Sequence, residues 1–332
     1  MNYISINKLN DIGDIQVDSS NGDFLYCQRQ FSENKTFDFT GREYVTSTSD
    51  VAFILKSLQE YGIEHSFVCY VLPDKTAIVQ HLGMGDFTSC VVNIDIIRYT
   101  MLKLSAEGVY LAHNHPSGNL IFGMHDRLMH ASCEKAMGNV YKGSILINTI
   151  TGHYAFIQHD SDKEAISRIP SPELTDIPVQ VIEFDKQVFS REFNYNKALK
   201  VLGPSDIAIF ISTQKFGMRD KAGILILNRS MMLMANLHLP FTKISETTCS
   251  EIASYIQKCI TATGGTDTIM YFSGNISKKV MNLLRTELAR ISNFKICDVC
   301  YDLANGLQSA LGNGLLKDES LSTRYKGPTI KI

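Results

Sequence analysis

The two halves of this chain resemble each other at a constant offset of 156 residues. Under that shift, the stretch FVCYVLPDKTAIVQHLGM (67–84) falls on GILILNRSMMLMANLHLP (223–240), and each is typical of a strand, a turn and a second strand. The tripeptide Ser-Gly-Asn occurs at both 117–119 and 273–275. A repeat of this length constrains the fold strongly, because both copies must form the same kind of unit. We therefore predict an internal duplication whose alignment runs without gaps.

Each copy predicts the order helix, strand pair, helix, strand, loop, helix, strand, which is typical of an α/β layer arrangement. Residues 93–108 place apolar side chains at helical spacing and end on a glycine. A buried strand follows directly, and a second helix is predicted to start at Asp126 and to extend to residue 140. We predict a mixed β-sheet flanked by helices in each copy.

The chain has 332 residues, which is long enough for two domains. The linker between them is predicted where residues 167–180 hold three of the chain's eight prolines. The predicted segments are an N-terminal extension (1–35), a first domain (36–165), a linker (166–191), a second domain (192–305) and a loosely held C-terminal tail (306–332).

Composition excludes several classes of protein. The formal net charge is −2, so no overall field attracts nucleic acid or an anionic membrane. The chain also lacks the sequence of a secretory signal or a membrane span, and we expect a cytoplasmic protein with no membrane partner.

The eight cysteines are scattered over a chain too large to need disulfides, so we expect them to be mostly reduced and buried. Cys297 and Cys300 have zinc-knuckle spacing, but no second pair exists to complete four ligands. We predict that both are structural and lie on opposite faces of a strand.

The segment LAHNHPSGNLIFGMHD (111–126) carries the chemistry. His113 and His115 are two residues apart at the end of a predicted strand, so both can face one cavity. Asp126 follows eleven residues after His115. Two imidazoles and one carboxylate form a three-ligand zinc set that leaves a fourth position for water. The other seven histidines are expected to be solvent-facing or hydrogen-bonded in the core, and His125 is the least certain because it adjoins Asp126.

Hydrolysis at such a site also needs a base that takes a proton from water and passes it to the leaving group. Glu64 is the best candidate, because it directly precedes a predicted strand that can neighbour the strand of the histidines. Glu60, one helical turn earlier, is the alternative.

Residues 40–158 resemble the JAB/MPN family with the JAMM motif, in its RadC-like branch, through the signature HNHPSG, the preceding glutamate and the following aspartate. The resemblance implies a cytidine-deaminase-like fold, zinc bound by His113, His115 and Asp126, and Glu64 as general acid/base. It also implies hydrolysis of an amide or isopeptide bond in a protein or peptide substrate.

One position departs from the family pattern, which has a serine eight residues after the second histidine to help hold the oxyanion. This chain has Gly123 there. A slower reaction, or replacement of the donor by a backbone amide or by Ser117, are the alternatives, and Ser117 is the candidate side chain. Zinc binding is expected to survive, because no ligand is missing.

The offset maps Glu64, His113, His115 and Asp126 onto Asp220, Ile269, Tyr271 and Asn282. Because both imidazoles are absent, we expect the second copy to be a degenerate JAB/MPN-like domain without metal ligands. The family pairs metal-bearing with metal-free domains, so the resemblance suggests intramolecular pairing of the two copies, with residues 192–305 in a supporting or substrate-recognising role.

Three functions follow from this reasoning. The first is a zinc-dependent peptidase or isopeptidase, and the second is a binding or scaffold protein whose catalytic site has decayed. The third is a DNA-repair role, suggested only by the historical naming of RadC-like proteins. Near-neutral charge and the lack of a basic, aromatic-rich stripe argue against a nucleic-acid partner.

Overall fold

The structure is a computed structural model that forms two compact units, one of residues 1–11 and 31–185 and one of residues 12–30 and 186–332. Both contain a β-sheet and helices, so the predicted mixed α/β class is confirmed. The described residues are 3–11, 16–17, 26–84, 92–148, 152–161, 163–173, 176–189, 199–213, 222–239, 244–291, 295–301 and 307–313.

The secondary structure of the described residues comprises seven α-helices and fifteen strands. The helices are α1 (Ile6–Asn10), α2 (Thr48–Ile54), α3 (Ile94–Leu104), α4 (Met124–Met137), α5 (Pro204–Thr213), α6 (Cys249–Thr263) and α7 (Lys278–Ile291), and two short 3-10 helices span Lys56–Glu60 and Gly138–Val140. The strands are β1 (Gln16–Val17), β2 (Tyr26–Glu33), β3 (Phe39–Gly41), β4 (His65–Val71), β5 (Ala77–Met84), β6 (Gly108–His115), β7 (Tyr141–Asn148), β8 (His153–Gln158), β9 (Glu164–Arg168), β10 (Ile177–Phe189), β11 (Ala222–Leu227), β12 (Leu233–His238), β13 (Asp267–Phe272), β14 (Lys295–Tyr301) and β15 (Gln308–Ser309). No described helix has the length and apolar character needed to cross a membrane.

The first sheet has the order β2-β10-β5-β4-β6-β7-β8-β9, with β3 added against β10. Strand β4 is antiparallel to β5 and β6, whereas β6 and β7 are parallel. Strand β4 is buried on both faces: Phe67 and Cys69 pack with α2, and Val68 and Tyr70 pack with α3 and α4. The central strands therefore lie between two helical layers, which explains why β4 is apolar throughout.

The second sheet has the order β1-β12-β11-β13-β14-β15. Its strands β12-β11-β13-β14-β15 repeat the order and directions of β5-β4-β6-β7-β8. Both parallel pairs contain a register shift at the matching place, after Val109 in β6 and after Thr268 in β13. The two hairpin turns match as well, since Lys75 and Met231 both have left-handed backbones with φ of 67° and 61°.

The predicted ungapped offset is wrong in the second half of the repeat. The offset is 156 for the hairpins, but Val71 pairs with Gly108 whereas Leu227 pairs with Asp267, which gives 159 for β6 and β13. His113 therefore corresponds to Phe272 instead of Ile269. Length changes accumulate in loops, where they disturb little packing, and a single offset cannot represent them.

The loop that precedes α7 is shorter than the loop that precedes α4, so the offset decreases again there. Helices α4 and α7 begin with equivalent backbone bonds, from the Arg127 N–H to the Gly123 carbonyl and from the Met281 N–H to the Ser277 carbonyl. Asp126 then corresponds to Val280, and the predicted partner Asn282 is wrong. The second sheet carries no imidazole at these positions in either alignment, while Asp220 lies outside the described residues.

Three predicted boundaries also need correction. The predicted linker, 166–191, contains β10, which pairs in parallel with β5 and so belongs to the first sheet. The predicted extension, 1–35, contributes Leu9 and Phe31 to an apolar cluster with α3 and α4. The predicted tail, 306–332, includes β15, which pairs with β14, and residues 314–332 lie outside the described part. These segments belong to the folded units because they pair or pack with residues that are distant in the sequence. Amino-acid composition does not predict such contacts.

Six cysteines of the described chain, at 69, 133, 249, 259, 297 and 300, are buried and unbridged, as predicted. Cys297 and Cys300 nevertheless share one apolar cluster instead of lying on opposite faces. The register shift leaves Cys297 as an extra residue opposite β13, and such a bulge changes the alternation of side chains. Burial raises the pKa of the Cys300 thiol well above its usual value, which favours the neutral, structural form.

Candidate metal centre

Strand β6 brings the two motif histidines together at its C-terminal end. His113 is buried and His115 half-buried, and their Nε2 atoms lie 3.2 Å apart. Residues two apart on a strand share a face, so the predicted pairing of these imidazoles is confirmed. The ring of Phe122 packs at 6.1 Å from the ring of His113 and anchors the loop that follows the motif.

Asp126 completes the group from helix α4. Its two carboxylate oxygens lie 3.4 Å from His113 Nε2 and 3.6 Å from His115 Nε2. The helix starts at Met124, two residues before the predicted start, and Asp126 lies in its first turn. There it accepts a hydrogen bond from the Gly123 N–H at 2.8 Å, which orients the carboxylate and satisfies a free amide at the helix N-terminus.

The spacing of the three ligand residues is compatible with a tetrahedral zinc ion. Zinc bonds of about 2.0–2.2 Å in tetrahedral geometry place neighbouring ligand atoms about 3.3–3.4 Å apart. The two Nε2 atoms are 3.2 Å apart, and the nearest carboxylate oxygens lie 3.4 Å from His113 (Oδ1) and 3.6 Å from His115 (Oδ2), so the three residues are close enough to hold one ion. Two nitrogens and one oxygen suit zinc, and three protein ligands leave a fourth position open.

The electrostatics of the group also favour a cation. Burial would raise the pKa of Asp126, but hydrogen bonds from His113, His115 and the Gly123 amide hold it far below its usual range. Burial would lower the pKa of His115, but Asp126 first, and Glu64 after it, raise it. The Asp126 carboxylate is therefore ionised, which is the form in which a carboxylate binds a metal ion.

A second layer of hydrogen bonds orients the ligands. His115 Nδ1 lies 3.1 Å from the Asn119 carbonyl, so this nitrogen carries the proton and directs the Nε2 lone pair toward the group. The Gly118 N–H closes a turn on the His115 carbonyl at 2.9 Å with φ of 73°, which requires glycine. Asn148 Nδ2 donates to the Gly118 carbonyl at 2.7 Å and holds this turn.

Glu64 lines the same cleft as His113 and Asp126, a space of about 520 Å³, which is large enough for part of a peptide. Its side chain is buried, with 5% exposed. Glu60, the alternative base, is exposed at the end of a 3-10 helix and does not line the cleft. Of the two carboxylates, the structure brings only Glu64 together with the histidines.

Ser117 is exposed in the turn, where its Oγ accepts the Asn119 N–H at 3.4 Å, and it is not part of the cleft wall. The cleft contains other hydroxyl groups, on Ser66, Ser132 and Ser144. The sequence reasoning missed these three, because none lies in the motif and only the folding of β4, β7 and α4 brings them to the cleft.

Among the other histidines, His125 is exposed and lines the cleft but is not part of the ligand group. His130 is buried and bonded to Ser144 Oγ through Nδ1, as expected for a core histidine. His65 and His81 contact each other at 3.4 Å. In the described part of the chain, a second group that can hold a cation comprises Glu134, His159 and Asp160, and the last of these is exposed.

Comparison with known families agrees with this geometry. Residues 45–141 match the family model of the RadC-like JAB domain. The RadC-like segment includes Glu64, His113, His115 and Asp126, so the predicted family resemblance is confirmed over this part of the chain. A comparison with curated proteins found no match.

Proposed function

We propose that this protein is a zinc-dependent hydrolase of amide bonds, a peptidase or isopeptidase of the JAMM type. One observation carries the proposal: Nε2 of His113, Nε2 of His115 and a carboxylate of Asp126 converge at zinc-like spacing in a cleft that also contains the buried Glu64. When bound, zinc would supply a Lewis acid and would lower the pKa of a water molecule.

The chain's own residues would transfer protons, exclude solvent and contact the substrate. Glu64 would accept the proton of the attacking water and donate it to the leaving amine, and its position in the cleft wall supports both transfers. The burial of Glu64 and His113 excludes bulk solvent, which strengthens the electrostatic interactions at the reacting atoms. The substrate class would be an extended protein or peptide chain, because the cleft is open and its wall includes Val92, Leu111 and Leu128.

We further propose that residues 192–305 are a degenerate JAB/MPN-like copy without metal ligands. The repeated strand order, the matching register shifts and the two left-handed turn residues support this proposal. Such a copy would serve recognition or support, and its failure to bind zinc is testable separately from the first copy.

The test begins with the purified full chain loaded with zinc and measures the metal per chain by atomic emission. Turnover is then measured on peptide libraries and on isopeptide-linked substrates. Native protein is expected to hold one zinc and to cleave, whereas Glu64→Gln is expected to keep zinc and to lose cleavage by several orders of magnitude. Loss of zinc in Glu64→Gln, or equal turnover in both proteins, would reject the assignment of Glu64.

A second function is favoured by one observation, the absence of a side chain at Gly123. A binding or scaffold protein with a decayed site would hold zinc through the same three ligands and would bind its partner equally well after Glu64→Gln. Any zinc-dependent cleavage that Glu64→Gln abolishes would exclude it.

A further inference from the structure

The separation between Glu64 and the metal-binding strand depends on an unusual end of the β4–β6 ladder. The backbone pairing of the two strands stops at Ser66 and His113. If the ladder continued, His65 would pair with Asn114 and Glu64 with His115. The last two positions of β6 instead have no backbone partner on β4.

The side chain of Asn114 takes the place of these missing bonds. Its Oδ1 accepts the His65 N–H at 2.8 Å, and its Nδ2 donates to the Ile63 carbonyl at 3.0 Å and to the Tyr61 carbonyl at 3.4 Å. Both donors and one acceptor of the amide are therefore bonded to the segment that carries Glu64. The side chain is fully buried, so water cannot substitute for it.

We propose that Asn114 is a positioning residue that holds Glu64 at its working distance from the metal-binding histidines. Asn114 lies between His113 and His115 in sequence, but its side chain points to the opposite face of β6 and cannot join the ligand group. By standing between the two backbones, it separates the Glu64 segment from β6 by the length of a side chain, and this separation leaves room for the cleft. The inference rests on the proposed function, since a base needs a position only if the reaction occurs.

Two substitutions test the proposal on the zinc-loaded full chain. Asn114→Ser is too short to reach the Glu64 segment, and Asn114→Asp keeps the acceptor for His65 but loses both donors. The matched control is Gln180→Glu, a buried amide of the same sheet that accepts from the Ile4 N–H and donates to the Ile4 carbonyl, away from the ligand group. Two variants are used because one of them can fail to fold.

Hydrogen exchange gives a readout independent of activity. We expect the amides of residues 61–66 to exchange about tenfold faster or more in both Asn114 variants, while β7 and β8 stay protected. Gln180→Glu should leave the exchange rates of residues 61–66 unchanged. Both Asn114 variants should bind as much zinc per chain as the native protein, because neither substitution alters a ligand. Native exchange rates at residues 61–66, or loss of zinc in both variants, would overturn the proposal.

Kinetics then separates positioning from a general structural effect. We expect kcat to fall about 100-fold with little change in KM, as misplacement of a catalytic group by about 1 Å can cause. In a Glu64→Gln background, Asn114→Ser should cause no further loss. An additive loss in the double variant would overturn the proposal. If the native chain cleaves nothing, the proposed function fails and hydrogen exchange alone decides this inference.

Discussion

Gly123→Ser restores the side chain that the RadC-like pattern leads one to expect and so tests whether its absence limits the reaction. Gly123 is the N-cap of α4 and its N–H holds the carboxylate of Asp126. A serine hydroxyl at this place would lie beside the ligand group. We expect the substitution to raise turnover without changing zinc content.

The structure indicates how Gly123→Ser should change the stability of the protein and the rate of the reaction. The backbone of Gly123 has φ of −68°, which serine adopts readily, and an added Cβ would meet only Asp126 Oδ2 at 3.4 Å, an ordinary contact. Replacing glycine by serine at an N-cap changes stability by only a few tenths of a kcal/mol, about 0.3 kcal/mol in favour of serine. One added oxyanion donor is worth about 10² to 10³ in kcat, which is about 2.7–4 kcal/mol.

The assay compares native protein, Gly123→Ser and Gly123→Ala at equal zinc loading, with turnover measured on the substrate found for the native chain and stability by thermal unfolding. Gly123→Ala is the matched control, since it adds the same Cβ without the hydroxyl. Turnover should rise at least tenfold in the serine variant alone. Equal turnover in both variants would refute the reasoning that a missing donor at position 123 limits the rate.

Three further predictions concern metal binding, pH and substrate contact. His113→Ala should abolish stoichiometric zinc binding, measured by atomic emission, whereas His125→Ala, in the same cleft but outside the ligand group, should keep it. Burial first, and the neighbouring His65 second, lower the pKa of His81 to about 4 from 6.5. The unfolded chain therefore binds this proton at higher pH than the native chain, so the stability is complete above about pH 6.5 and declines toward pH 4. Because the ring of His81 is partly exposed, solvent screening reduces the effect, so between pH 7 and pH 5 this histidine should cost about 1 kcal/mol in urea unfolding. His81→Gln should remove that part of the decline, and an identical decline in both proteins would contradict the prediction. Leu128 lines the cleft with 59% of its surface exposed, so Leu128→Ser should raise KM about tenfold for substrates with apolar side chains, and Leu102→Ser, equally exposed but outside the cleft, should not.

Local patterns predicted the ligand set because its members are close in the chain. His113 and His115 share a face by the period of a strand, and Asp126 follows within one loop, so little tertiary information is needed. The strand pair 67–84 and helix α3 follow from apolar periodicity in the same way. Helix α3 ends at Leu104, with a left-handed Ser105 instead of the predicted glycine, because Gly108 belongs to the next strand.

Contacts between distant segments determined the features that local patterns did not predict: the candidate base, the place of β10 in the sheet and the offset of the repeat. Whether Glu64 or Glu60 faces the histidines depends on the position where the ladder of β4 and β6 ends. At that position the His65 N–H donates to Asn114, and these two residues are 49 positions apart in the chain. Strand β10 lies between β2 and β5, so a proline-containing segment that looks like a linker is part of the sheet. Strand register likewise revealed the three-residue shift in the repeat. The sequence by itself therefore determined which residues form the candidate metal site, because their spacing is local. Only the tertiary structure determined which glutamate faces these residues and which side chain holds it in place. Hydrogen bonds and burial bring together segments that are far apart in the sequence, and no periodic pattern in the sequence predicts such contacts.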